Sequence, residues 1–146
     1  MGRTELRTEI EIRAPAAHVY RILTDFPRYS EWNPFITSVS GRAAVGEQLE
    51  VALSLPEGKD YRFKPRLVSV RANGELRWQG RFLVPGLLDA EHFFQVNEQG
   101  PHVSRFVHGE DFSGLLLRFM TQTLTLTARG FVYMNEALKK RAESTL

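Results

Sequence analysis

The side chains best suited to acid–base chemistry in this sequence are His108 and Glu110. They stand two positions apart in an alternating segment, so a strand would point both side chains to one face. Phe106 and Phe112 share that face, which is therefore expected to be buried. A histidine and a carboxylate inside an apolar cavity would have shifted pKa values and could transfer protons. The alternative is that the pair lies at the solvent end of the strand, or forms a buried hydrogen bond that only orients the sheet.

His92 extends this polar set, because it shares a strand face with Phe94 and Val96. The histidines do not suggest a metal site, since no two have the i,i+3 or i,i+4 spacing that places ligands on one helix face. The chain contains no cysteine, which excludes disulfides, thiolate metal ligands and a cysteine nucleophile. Ser113 lacks the preceding glycine of a nucleophile elbow, and the sequence has no glycine-rich phosphate loop. We therefore expect neither a metal nor another cofactor.

The charge distribution predicts a soluble protein with no nucleic-acid partner. The 146 residues carry a formal net charge of +2, and the charges are interspersed rather than gathered in a basic block. The first residues are charged and lack the apolar core of a signal peptide. The longest apolar run, 114–117, is too short to cross a bilayer. We expect a cytoplasmic location and no stable membrane insertion, and homodimerisation is left open.

A set of large, mostly aromatic side chains predicts the lining of a ligand cavity. Each alone is typical of a core residue, but a curved sheet facing one helix leaves space that such side chains fill only in part. Trp32 precedes Asn33-Pro34, where it either packs as a structural lid or lines the cavity mouth together with Phe35. The predicted cavity residues are Trp32, Phe35, Phe63, Trp78, Phe82, His92, Phe94, Phe106, His108, Glu110, Phe119, Met120 and Thr123.

The first part of the chain predicts a strand followed by two short helices. Residues 4–13 alternate between apolar and charged side chains, which is typical of a strand in an antiparallel sheet with one solvent-exposed face. Pro15 suits the first turn of a helix, and apolar residues recur at helical spacing over 19–26. A second helical turn over 29–32 ends before Pro34.

Period-two alternation returns after Pro34 and predicts six further strands. Turn signals separate them, among them Asn73-Gly74, which is typical of a tight hairpin. Pro65 falls inside one alternating segment and suggests a sheet edge or a bulge there. The predicted strands cover about 35–41, 49–55, 61–67, 76–84, 92–96 and 102–112.

One long helix is predicted from about Leu115 to Ala142. A broad apolar stripe runs along it, and three cations at 139–141 stand in its last turn, where the helix dipole favours them. The threonine-rich run 121–127 has poor helix propensity, so tertiary packing would have to hold it helical. The order of elements indicates a single α+β domain over residues 1–146, in which the long helix covers the concave face of an antiparallel sheet.

Three segments of the chain form a recognisable pattern. They are IRAPAAHVYRILTDF at 12–26, YSEWNPF at 29–35, and HGEDFSGLL at 108–116, the last followed by a helix that contains MNEAL at 134–138. These segments resemble the START/Bet v 1-like superfamily, and in particular its polyketide cyclase/dehydrase-like branch (SRPBCC). The resemblance covers nearly the whole chain. It implies the helix-grip fold, with a seven-stranded antiparallel sheet curled around a long C-terminal helix, two short helices after the first strand, and an internal cavity.

The superfamily that the chain resembles includes lipid carriers, hormone receptors and aromatase/cyclases, so its fold does not select one function. We therefore consider one principal hypothesis and two alternatives. The first is binding of a small hydrophobic or amphipathic ligand in the cavity between sheet and C-terminal helix. The second, suggested by the resemblance, is a cyclase- or dehydratase-like enzyme for an aromatic or polyketide-type substrate, with His108 and Glu110 as acid–base residues. The third is a partner-binding module without a ligand, using exposed leucines at 87 and 88.

Overall fold

The structure, a computed structural model, describes residues 2–82, 84 and 86–146, and of Phe82 it describes the backbone alone. The chain begins with a strand and two short helices, as the apolar spacing predicted. Pro15 precedes the first helix in an extended conformation, and its carbonyl accepts the first helical hydrogen bonds. These elements are β1 Gly2–Ile12, α1 Ala16–Thr24, a 3₁₀ turn Phe26–Arg28 and α2 Tyr29–Trp32.

Seven strands and a long helix follow in the described part of the chain. The strands are β2 Ile36–Ser40, β3 Glu50–Ser54, β4 Asp60–Phe63, β5 Arg66–Arg71, β6 Glu75–Phe82, β7 Leu88–Gly100 and β8 Val103–Gly114. The long helix is α3 Thr121–Ser144. Beyond the end of β6, the predicted strand 76–84 runs into Leu83, which lies outside the described residues. None of the helices in the described ranges is long and apolar enough to cross a bilayer.

The strands form two antiparallel sheets rather than the single seven-stranded sheet that the resemblance implied. One sheet has five strands in the order β1-β8-β7-β6-β5, and the other has three in the order β2-β3-β4. The predicted strand through 61–67 is divided at Pro65, which has no N–H to donate to a sheet ladder. Its two halves, β4 and β5, therefore belong to different sheets. A single bridge between Gln48 and Arg66, and a backbone hydrogen bond from Leu49 to Pro65, connect the sheets.

The main core lies between the five-stranded sheet and α3, which confirms the predicted α+β arrangement of a curled sheet and a C-terminal helix. The apolar stripe of α3 places Phe131, Met134 and Leu138 against the sheet, and all three are fully buried. Gly130 allows close approach, because a Cβ atom there would overlap with the ring of Phe35. A smaller apolar cluster near the start of α3 contains Leu88, Ala90, Phe112 and Leu117.

Helix α3 begins later than the apolar stripe predicted. The preceding segment Leu115–Phe119 forms a 3₁₀ turn, and the helix starts at Thr121. Gly114 sets this boundary in part, because it has a φ of +128° and packs so closely on the carbonyl of Leu87 that a Cβ atom would clash. The change of helix type rotates the residues before Thr121 away from the positions that a continuous α-helix would give them.

The threonine-rich start of α3 is helical, although its residues have poor helix propensity. The hydroxyl of Thr125 donates to the carbonyl of Thr121 at 3.0 Å, and that of Thr127 donates to the carbonyl of Thr123 at 2.7 Å. Thr127 is also buried against the sheet. Tertiary packing, together with these satisfied hydroxyls, therefore holds this stretch in the helix.

Candidate functional site

Antiparallel pairing aligns the side chains of four strands in rows across the face of the sheet that α3 covers. Cross-strand neighbours in such rows have Cβ atoms roughly 5 Å apart. One row consists of Leu6, Glu110, His92 and Trp78. The row on one side of it consists of Thr8, His108, Phe94 and Leu76. The row on the other side consists of Thr4, Phe112, Ala90 and Gly80.

A cavity of about 190 Å³ lies where the last of these rows carries its smallest residues. Gly80 and Ala90 have no side chain beyond Cβ, whereas the same two strands carry Trp78 and His92 in the next row. The surface of the sheet is therefore recessed between β6 and β7, and the start of α3 bridges the recess instead of filling it. The lining residues are Leu53, Leu55, Tyr61, Phe63, Trp78, Gly80, Leu88, Ala90, Glu110, Phe112, Met120, Thr123 and Thr127.

The cavity is largely apolar and contains one acidic group. Among the described lining residues, Glu110 carries the one carboxyl group, and none is lysine or arginine. Tyr61 is 41% exposed whereas Trp78 is 2% exposed, so the cavity extends from the protein surface at Tyr61 into the interior at Trp78. This combination of apolar walls and a few placed polar groups is typical of small-molecule sites.

The carboxyl group of Glu110 contacts a histidine at the cavity wall. Its Oε1 lies 3.3 Å from Nδ1 of His92, and the two side chains are 13% and 4% exposed. Both residues belong to the same cross-strand row, so the sheet register itself brings them together. Glu110 lines the cavity, whereas His92 lies behind it in the buried core.

A chain of buried hydrogen bonds continues from His92 away from the cavity. The Nε2 atoms of His92 and His108 lie 2.8 Å apart, and Nδ1 of His108 lies 2.9 Å from Oδ1 of Asn135 on α3. Nδ2 of Asn135 donates to the hydroxyl of Thr8 at 2.8 Å. The hydroxyl of Thr8 donates to the backbone carbonyl of His108 at 3.0 Å. We call Glu110, His92, His108, Asn135 and Thr8 the polar relay.

His108 is the most enclosed member of the polar relay. Its side chain is completely buried, and burial is the main reason why the pKa of its imidazole lies well below the ordinary value. The neighbouring His92 lowers this pKa further, whereas hydrogen bonds with Asn135 and with the backbone of Phe131 act in the opposite direction. Desolvation opposes the charged form of a histidine more strongly than these contacts favour it, so His108 is neutral.

Trp78 closes the cavity wall on the other side of His92. Its indole ring stacks on the imidazole of His92, with centroids 5.3 Å apart and planes 24° apart. The indole is almost fully buried, and its Nε1 has no hydrogen-bond partner among the residues that the structure describes. This N–H group has almost no accessible surface, so it is a buried donor of a kind that is uncommon in folded proteins.

The residues predicted to line the cavity fall into several groups. The ones in direct contact with it are Phe63, Trp78, Glu110, Met120 and Thr123. Others are fully or nearly fully buried in the adjacent core and are absent from the described lining, namely Phe35, His92, Phe94, Phe106 and His108. The side chain of Phe82 lies outside the part of the chain that the structure describes.

The placement of Phe119 differs from the expectation. It was assigned to the apolar stripe of a helix starting near residue 115, but it lies in the 3₁₀ turn and is 76% exposed. The guanidinium of Arg118 lies over its ring as a cation–π contact, 5.3 Å from the ring centroid. The late start of α3 therefore removes Phe119 from the cavity.

Trp32 and Phe35 stabilise the fold around the first loop instead of the cavity mouth. The ring of Trp32 packs on Tyr29 at 5.3 Å, and that of Phe35 packs on Phe131 at 5.5 Å. Asn33 between them accepts hydrogen bonds from the backbone N–H groups of Phe35 and Ile36, at 3.0 and 2.9 Å. This turn agrees with the structural interpretation of the Trp-Asn-Pro segment.

The sequence reasoning did not assign several residues that shape the site, among them four with a specific role. Gly80 and Ala90 create the recess, and Asn135 and Thr8 complete the polar relay. The sequence does contain an indication of Asn135, because it is a polar residue one helical turn after Phe131 on the buried stripe of α3. It also contains one of Gly80, since a glycine inside a strand often marks a close approach or an open space.

Across the described ranges, no group of three or more His, Asp or Glu side chains is arranged to hold a metal ion. The sequence matches a protein family over residues 3–143, the family described as polyketide cyclase / dehydrase and lipid transport. No curated protein matches the chain significantly in sequence. The match over nearly the whole chain agrees with the resemblance of the three sequence segments.

Solved structures share the fold at low sequence identity. A START superfamily protein from Mycobacterium smegmatis has a TM-score of 0.79 at 19% identity, over 99% of this chain and 100% of that one. The Zhui aromatase/cyclase from Streptomyces sp. R1128 has a TM-score of 0.79 at 13% identity, over 97% and 94%. Norcoclaurine synthase from Thalictrum flavum, in complex with dopamine and hydroxybenzaldehyde, has a TM-score of 0.74 at 12% identity, over 99% and 89%. The chain therefore belongs to the polyketide cyclase/dehydrase and lipid-transport family of START-like (SRPBCC) proteins.

Proposed function

We propose that this protein binds a small, largely apolar molecule in the cavity between β6, β7, β8 and the start of α3, with Glu110 as a polar contact. The observation that carries the proposal is the recess at Gly80 and Ala90, which opens a lined cavity of about 190 Å³. The description of the family, which includes lipid transport, supports binding of an apolar molecule.

The volume of the cavity limits the size of the ligand. An engineered protein cavity of about 150 Å³ holds benzene, whereas pockets for drug-sized ligands have roughly 300–1,000 Å³. The cavity of about 190 Å³ therefore suits a molecule with one ring, or one part of a longer molecule that extends past Tyr61 into solvent. The aromatic ligands named for the norcoclaurine synthase structure are of comparable size, which supports this ligand class.

Two measurements test the proposal. Native mass spectrometry and solvent extraction of the purified protein would identify a molecule that copurifies with it. Methyl NMR spectra recorded during titration with p-xylene would then locate binding. We expect shifts of the methyl signals of Ala90, Leu88 and Met120, which line the cavity, and none for the exposed Val68. Saturating p-xylene that leaves the cavity methyl signals unchanged would contradict the proposal.

A second candidate function is acid–base catalysis of a cyclase- or dehydratase-like reaction. The observation that favours it is the contact between Glu110 and His92 at the cavity wall. The sequence-based hypothesis paired Glu110 with His108, but His108 reaches the cavity only through His92. In this candidate function Glu110 is therefore the group that exchanges a proton with a substrate, and His92 is its partner.

Hydrogen–deuterium exchange in a small ketone tests this second function. We expect the protein to accelerate exchange of the protons next to the carbonyl group of 2-tetralone in D₂O, measured by ¹H NMR. Glu110→Gln should abolish the acceleration, because an amide cannot accept the proton. The exposed Glu57→Gln provides the control. A rate equal to that of buffer alone would exclude this type of proton abstraction for the probe.

The partner-binding alternative loses its original basis. It relied on two exposed leucines at 87 and 88, but Leu88 is 8% exposed and lines the cavity, and Leu87 is half-buried. The nucleic-acid, cofactor and homodimer expectations stay predictions.

A further inference from the structure

The direction of the hydrogen bonds in the polar relay follows from one backbone carbonyl. The Thr8 hydroxyl donates its single hydrogen to the carbonyl oxygen of His108. It can therefore only accept from Asn135, so the amide of Asn135 turns its Nδ2 toward Thr8 and its Oδ1 toward His108. Because Oδ1 is an acceptor, the hydrogen of the neutral His108 ring is on Nδ1.

The same reasoning determines what lies between His92 and Glu110. With its hydrogen on Nδ1, His108 accepts at Nε2, so Nε2 of His92 must donate across the 2.8 Å contact. Nδ1 of His92 then faces the carboxyl group of Glu110. One proton occupies this contact, either on His92 next to a carboxylate or on Glu110 next to a neutral imidazole. Without that proton, two lone pairs would oppose each other.

The polar relay is uncharged overall in both arrangements. An imidazolium at His92 balances a carboxylate at Glu110, and a protonated Glu110 leaves both groups neutral. No lysine or arginine is present among the described lining residues to balance a further negative charge. An anionic ligand would therefore lose its hydration in the cavity without gaining a cation, which is strongly unfavourable.

Trp78 forms an apolar part of the same wall. It stands in the row that contains Glu110, but its indole Nε1 has almost no accessible surface, so the N–H group does not face the cavity. In this row the polar group offered to a ligand is therefore the carboxyl group of Glu110, which can accept a hydrogen bond and, when protonated, donate one.

We propose that the cavity takes an uncharged ring compound that carries a hydroxyl group, bound at the wall formed by Glu110 and Trp78. A hydroxyl group matches either position of the shared proton, because it donates to a carboxylate and accepts from a carboxylic acid. This inference rests on the proposed function, since it names the ligand class of the same cavity.

Three probes of matched shape test the inference on the wild-type chain: p-cresol, p-xylene and p-toluate. They carry a hydroxyl, a methyl and a carboxylate group at the same ring position. Dissociation constants and the indole N–H signals would be measured by NMR, with the signal of Trp32 as internal control. We expect p-cresol to bind roughly tenfold more tightly than p-xylene, the size of one net hydrogen bond, and to shift the Trp78 indole signal. We expect p-toluate to bind more weakly than either.

Two variants of Glu110 complete the test. Glu110→Leu removes the polar contact. In this variant the dissociation constants of p-cresol and p-xylene should be about equal, and p-xylene should still bind. Glu110→Gln retains an oxygen acceptor and should keep most of the preference.

The outcomes separate the two proposals. If the wild-type chain binds neither p-xylene nor p-cresol, the proposed function fails and the inference fails with it. If both bind equally, or if p-toluate binds most tightly, the inference is overturned while the proposed function stands. A preference for p-cresol that survives Glu110→Leu would also overturn the inference.

Discussion

The imidazole of His108 lies face to face with the ring of Phe131, with centroids 4.0 Å apart and planes 16° apart. The rings of Phe94 and Phe106 lie 4.9 and 5.7 Å away from it. This aromatic enclosure excludes water from His108 and explains why burial dominates its lowered pKa. His108 is therefore a neutral residue enclosed behind His92, and in the hydrogen-bond order proposed above it accepts from His92.

The lowered pKa of His108 predicts a loss of stability in acid. The unfolded chain binds a proton near the ordinary value of 6.5, whereas the folded chain binds it only at lower pH. Between these values the unfolded state holds more protons, so the free energy of unfolding decreases as the pH falls below about 6.5, by up to about 1.4 kcal/mol per pH unit.

Urea unfolding at about pH 7 and about pH 5 would measure this loss. His108→Gln should show a smaller difference between the two conditions than the wild-type chain, because glutamine does not titrate. His102→Gln, at an exposed position, should retain the full difference. Equal pH dependence for the wild-type chain and His108→Gln would rule out His108 as the cause.

The polar relay predicts which tautomer His108 adopts. We expect the hydrogen on Nδ1 and a bare Nε2, because Asn135 and Thr8 orient the amide oxygen toward Nδ1. The ¹⁵N chemical shifts of the histidine side chains distinguish the two tautomers directly. Thr8→Val keeps the shape of the side chain and removes the anchor, so it should weaken this preference. A hydrogen found on Nε2 of wild-type His108 would show that the relay runs in the opposite direction.

Removal of the Asn135 amide should destabilise the fold. Asn135→Leu has a similar volume but leaves the Nδ1–H group of His108 without its side-chain acceptor in the core. A buried polar group that loses its partner costs about 1–3 kcal/mol, which chemical denaturation would detect. Asn97→Leu, on the exposed part of β7, is the matched control and should change stability by less than about 0.5 kcal/mol. Equal effects of the two substitutions would mean that the relay does not stabilise the fold.

A larger side chain in the recess should weaken ligand binding. Ala90→Leu adds three carbon atoms to the side chain at the point where the sheet is recessed, so p-xylene should bind at least about tenfold more weakly. The added volume should cost at most about 1–3 kcal/mol of stability, because it enters an open space. Ala52→Leu on β3, outside the described lining, should leave the affinity unchanged. Unchanged affinity in Ala90→Leu would place the probe elsewhere.

The spacing at which apolar side chains recur along the sequence was sufficient to predict much of the fold. Alternation in the last strand placed His108 and Glu110 on the face of Phe106, and both sheet and helix follow the predicted order. Pro65 was recognised as an irregularity, but its consequence, a second sheet, was not. A proline removes a hydrogen bond at one position, whereas the sheet that each flanking strand joins depends on strands elsewhere in the chain.

Phe119 shows where helical spacing misleads. Its position on an apolar stripe predicted burial, but the stripe extended into residues that form a 3₁₀ turn, with a different rotation per residue. The boundary depends on the contact between Gly114 and the carbonyl of Leu87, which are far apart in sequence. Local periodicity contains no information about such a contact.

The sequence by itself determined which residues face the interior, because alternation along a strand and the stripe of a helix are local properties. It also indicated the family, through segments spread along the chain, and the family match extends over residues 3–143. The tertiary structure decided which of these residues meet. Glu110 contacts His92 through strand register, His108 contacts Asn135 across 27 positions, and Asn135 contacts Thr8 across 127. Register and helix docking result from packing of the whole chain, so the cavity and its polar relay became visible only in the folded protein.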